Sequence, residues 1–164
     1  MAEWHDFFIA QVGACAALVG LLFVALSINV TQILKYPWLP ARGAQTLVVL
    51  TGALLEASLV LLPGPIKPTA AALTSCALVT WLLSLLLVLG FVRRLNKQRD
   101  VAIPRDWTYG YFWLAQVATV PAMVGGIFLY SGNSGGYYWI AGGVLCTFVF
   151  ALLNSWILLI EILR

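Results

Sequence analysis

The sequence predicts an all-α fold: an integral membrane bundle of five transmembrane helices, with the N-terminus outside and the C-terminus in the cytoplasm. Three observations predict it. Of the 164 residues, 62% are hydrophobic and 9% are charged, against about 25% charged residues in soluble domains. The apolar residues gather in five runs, each close to the roughly 20 residues that carry a helix across the hydrocarbon core. Finally, eight of the nine Lys and Arg residues fall on one side of the bilayer that a five-span reading creates. A soluble fold of this size would leave much of its apolar surface in water, whereas lipid solvates that surface. The net charge of +3 gives no basis for nucleic-acid binding.

The spans are expected at about 7–30, 46–63, 70–92, 108–130 and 137–163, with Glu56 and Glu161 the only charges inside them. Helices are the expected spanning element because each satisfies its own backbone hydrogen bonds; runs such as Leu82 to Leu87 lack the alternation of a β-barrel strand. No Lys or Arg precedes the first run, and it is too long for a signal-peptide core, so it is read as a retained span. Val12-Gly13-Ala14-Cys15 is read as part of that span, since a lipoprotein cleavage site needs a charged and apolar leader before it.

Span one carries a stripe of small residues, Gly13, Ala17, Gly20, Val24 and Ser27, and Ala16 forms a further four-residue step with Gly20. Such stripes let helix backbones approach closely in lipid. Packing within the chain is the first expectation and a self-association face the second. The connection that follows, Ile33-Leu34-Lys35-Tyr36-Pro37-Trp38-Leu39-Pro40, is too apolar for a solvated loop. It is expected in the headgroup zone, with Tyr36 and Trp38 anchored and Lys35 and Arg42 meeting lipid phosphates.

Span two holds Glu56, about ten residues and roughly 16 Å into it, close to mid-membrane. An ionisable group there costs several kcal/mol and calls for a partner. Gln116, Thr80 and Asn154 fall at similar or slightly more cytoplasmic depths and are the expected hydrogen-bonding companions. A structural hydrogen-bonded Glu is the first expectation, a proton- or cation-handling one the second.

Pro63-Gly64-Pro65-Ile66-Lys67-Pro68 makes a tight turn into span three, and Ser131-Gly132-Asn133-Ser134-Gly135-Gly136 a flexible one between spans four and five. Pro121 predicts a kink in span four, where Gly125-Gly126 follow it. Such breaks also line transporter sites. Gly142-Gly143 in span five is open to either reading.

Orientation follows from charge. Lys35, Arg42, Arg93, Arg94, Lys97, Arg99, Arg105 and Arg164 share one side, and Lys67 stands alone on the other; the positive-inside rule places the former in the cytoplasm. The cluster Arg93, Arg94, Lys97 and Arg99 is read as a topology determinant. Trp4, Phe7, Phe8, Tyr130, Tyr137, Tyr138 and Trp139 mark the outer interface, and Tyr36, Trp38, Trp107, Tyr109 and Trp113 the inner one.

What is missing narrows the chemistry. His5 is the sole histidine, which rules out bis-histidine haem ligation within one chain, and no metal centre or cofactor is expected. Cys15, Cys76 and Cys146 lie in apolar runs without CxxC spacing and read as packing thiols. No P-loop or Ser-His-Asp set is present, so no enzymatic activity is expected.

The stretch from Gly13 to Asn29, Gly-Ala-Cys-Ala-Ala-Leu-Val-Gly-Leu-Leu-Phe-Val-Ala-Leu-Ser-Ile-Asn, with Ile33-Leu34 and Tyr36-Pro37-Trp38-Leu39-Pro40 after it, resembles the opening of a group of small, uncharacterised bacterial multi-span membrane proteins. The resemblance covers the first third of the chain and implies a bacterial cytoplasmic (inner) membrane location; the group brings no activity or site residues. The expected function is a non-enzymatic membrane subunit, whose partners are the lipid bilayer and either itself or another membrane protein. The alternative is a small homo-oligomeric channel or transporter for protons or cations that uses Glu56.

Overall fold

The computed structural model describes residues 2–36, 39–97 and 105–163. The described residues form helices joined by turns, with no strand among them: α1 (Ala2–Ile28), α2 (Val30–Ile33), α3 (Leu39–Val60), α4 (Ile66–Lys97), α5 (Arg105–Tyr130) and α6 (Gly136–Leu163). All but the one-turn α2 are long and apolar enough to cross a membrane, as a multi-pass membrane protein requires.

The helices exceed the expected spans, and the extensions matter. α3 begins at Leu39, so residues read as connection belong to a helix. Pro40 permits this, because a helix's first turn has no partner for the N–H that proline lacks. Pro68 is tolerated in the first turn of α4 for the same reason. The connection before α3 tucks under the bundle: Ile33 and Leu39 are buried against Leu158, with Tyr36 packed beside them, while Lys35 stays exposed. α5 continues through Pro121. Trp38, Arg99 and Arg164 lie outside the described residues.

The two turns at the opposite end are built as their composition suggests. Gly64 has φ +141° and Gly132 φ +84°, a region that β-carbons disfavour. Gly132 closes α5 in a Schellman arrangement: its N–H donates to Leu129 O, and Asn133 N–H donates to Phe128 O at 2.9 Å. Asn133 Oδ1 then accepts from Gly135 N–H at 2.9 Å and leads into α6.

α3 is the centre of the bundle, packed by α1, α4 and α6, while α5 lies between α4 and α6. Its most apolar stretch is 56% buried, against 17% for that of α1. Trp4 of α1 stacks on Tyr137 of α6 at one end, where α3 also finishes. Arg42 of α3 meets Asn154 of α6 at the other. The core between them is built largely from small residues on several helices, including Cys15, Ala53, Ala57, Ala70 and Val144, with Phe8, Leu73 and Ile140 filling the wider gaps.

Candidate functional site: a polar interior on the central helix

Because much of α3 is enclosed, its buried polar side chains have no lipid or water to face and must find partners inside the protein. Two clusters result. Arg42, 6% exposed, donates to Asn154 Oδ1 from Nη2 at 3.0 Å and from Nε at 3.3 Å. Asn154 Nδ2 in turn donates to Thr46 Oγ1, whose hydroxyl hydrogen goes to Arg42 O at 2.9 Å. In the second cluster, Gln45 Nε2 and Gln116 Nε2 both donate to Ser84 Oγ, at 3.0 and 2.7 Å. Gln116 Oε1 is buried without a hydrogen bond. The two clusters join α3 to α4, α5 and α6 at one depth.

Glu56 lies about ten residues further along α3, roughly 15 Å away. It is 3% exposed and faces the interior of the single chain. Of its expected companions, only Thr80 comes near. Thr80 packs on Gly52, one turn from Glu56, and a β-carbon at position 52 would overlap its side chain. Gln116 and Asn154 are engaged instead with Ser84 and with Arg42 and Thr46. The expectation that they gather around Glu56 is therefore corrected. So is the placing of Arg42 among lipid phosphates: its burial against Asn154 follows from the early start of α3.

Arg93 is exposed at the end of α4. Arg94 and Lys97 belong to the last turns of the same helix, and Arg99 lies outside the described residues. Among the described residues no three His, Cys, Asp or Glu side chains come together.

The small-residue stripe of α1 is not used for packing within the chain. At about 100° per residue, buried Phe8, Cys15 and Leu22 share one side of the helix. Gly13, Ala17, Gly20 and Val24 share the opposite side, and all four are exposed. A β-carbon added at Gly13 or Gly20 would meet nothing within 4 Å. The close helix approach occurs elsewhere, between α5 and α6. A β-carbon at Gly125 would stand 2.7 Å from Gly136 O, and one at Gly143 would stand 2.7 Å from Ala122 N. These glycines read in sequence as a kink signal and an ambiguous pair; their seam is legible only once the register of the two helices is known.

No family model, curated protein or solved structure matches this chain.

Proposed function

We infer that the chain is a non-enzymatic integral membrane subunit that assembles through the outer face of α1, with a second copy of itself as the partner. The carrying observation is that a face of small residues, of the kind that seats another helix in lipid, points away from a bundle whose own tight seams lie elsewhere. Glu56 supports this reading over a channel. An assembly lumen is lined by outward-facing residues, and Glu56 is enclosed within one chain. The basic asymmetry of the sequence supports an N-terminus outside and a C-terminus in the cytoplasm, and the resemblance of the first third supports a bacterial cytoplasmic membrane.

Cross-linking in native membranes tests the interface. With Cys15, Cys76 and Cys146 replaced by Ala or Ser, Ala17→Cys should form a disulfide-linked dimer on mild oxidation, whereas Leu26→Cys, on the bundle side, should not. Equal cross-linking at both positions, or at neither, contradicts an interface on the outer face of α1.

A further inference from the structure

At the end of the bundle where α3 begins and α4 finishes, the two helices leave a groove of about 300 Å³ between them. Small residues open it: Ala41 and Ala44 of α3 lie across from Leu86 and Gly90 of α4. Phe91, buried and packed against Ala41, closes the floor. The walls are reachable from lipid, since Leu86 is 63% exposed, Gly90 is exposed and both alanines are half-buried. None of the lining residues has a polar side chain.

Arg93 stands at the mouth of this groove. It lies one turn beyond Gly90, about 4.5 Å further along α4, and at about 100° per residue it shares a face with Leu86 and Gly90. Its side chain is exposed and, among the described residues, makes no ion pair. The apolar stretch Ile66–Arg93 ends on it. One face of α4 therefore passes from an apolar groove to a fixed positive charge within about 10 Å.

The charge balance here has one sign. The first turn of α3, which supplies Ala41 to the groove, carries the partial positive charge of a helix N-terminus. The C-terminus of α4 carries about half a negative charge, which the full charges of Arg93, Arg94 and Lys97 outweigh. The sequence assigns eight Lys and Arg to this side, against Asp100, Asp106 and Glu161. Size selects the rest of the occupant. Two turns of a helix about 10 Å across fill roughly 800 Å³, more than the groove holds, whereas an acyl chain is thin enough to enter from the surrounding lipid.

We propose that this groove seats one acyl chain of an anionic phospholipid, with the lipid phosphate on the Arg93 guanidinium. Arg suits that role because its N–H groups match two phosphate oxygens. The site lies between α3 and α4 and does not depend on the α1 face assigned to assembly.

Competition between two lipids tests it on the full chain. In nanodiscs of equal phosphatidylglycerol and phosphatidylcholine with matched chains, native mass spectrometry should show phosphatidylglycerol retained about fivefold over phosphatidylcholine. Arg93→Gln should lower that ratio about threefold or more. Gly90→Leu should lower it as far by filling the groove, and the fold should tolerate it because a β-carbon at Gly90 meets nothing within 4 Å. Lys67→Gln, exposed at the opposite end, should leave the ratio unchanged. Equal retention of the two lipids, even if Gly90→Leu releases both, marks a general chain-binding groove and overturns the proposal. A preference that survives Arg93→Gln or Gly90→Leu, or that Lys67→Gln lowers equally, reports diffuse surface charge and overturns it as well.

Discussion

α1 and α3 cross the same bundle and differ in almost everything that decides their roles. α3 carries Arg42, Gln45, Thr46 and Glu56 and is enclosed by its neighbours; α1 between Phe7 and Ile28 is almost wholly apolar or small and lies at the periphery. In water the ranking would be reversed, because burial there follows hydrophobicity. In lipid an apolar side chain gains little by leaving the tails, so polarity drives burial and small residues set close approach. Hydrogen-bonding side chains mark the inside of this protein, and its most exposed helix is among its most apolar.

Substitutions at the two kinds of glycine should separate these roles most sharply. Gly143→Leu forces a side chain into the backbone of α5 at Ala122 and should cost about 3 kcal/mol or more. The expected result is loss of the folded chain in a thermal or denaturant titration in detergent. Next in size is Asn154→Leu, which removes the acceptor that two Arg42 nitrogens share inside the bundle and should destabilise by about 2–3 kcal/mol. If it proves neutral by the same titration, the polar cluster does not hold α3 and α6 together. Gln116→Leu should cost about 1 kcal/mol or less, since it removes one donor to Ser84 but also a buried carbonyl that has no partner. Smallest of all is Glu56→Gln. A structural Glu56 predicts expression and melting like the parent, with stability changed by about 1 kcal/mol at most. Normal stability combined with lost function in cells would instead show that its ionisable proton is used.

The number of long helices was legible because span length is a bilayer dimension, which runs of apolar residues report directly. The turns at 61–65 and 131–135 were legible through Pro, Gly and Asn for equally local reasons, although Ile66, Lys67 and Pro68, read as part of the first of them, open α4. The interior was only half legible. Glu56 announced itself by lying in an apolar run, but Arg42 and Gln45 sat beside Pro40 in a stretch that reads as connection. The extension of α3 back to Leu39 is what brings them inside. Ser84 gave no signal, being one hydroxyl in a leucine-rich run. Small-residue spacing identified helix faces that can pack closely but not which ones do. The α1 stripe and the α5–α6 glycines look alike in sequence, and only the arrangement of neighbouring helices distinguishes an open face from a closed seam.

The most direct measurement is native mass spectrometry of the mildly extracted protein and its Gly20→Leu variant, with melting measured alongside. Because nothing lies near a β-carbon at position 20, the variant should fold and melt like the parent, with stability within about 0.5 kcal/mol, while the parent's oligomer dissociates to monomer. An oligomer unchanged by Gly20→Leu, or a monomer that no longer folds, would contradict an assembly face on the outside of α1.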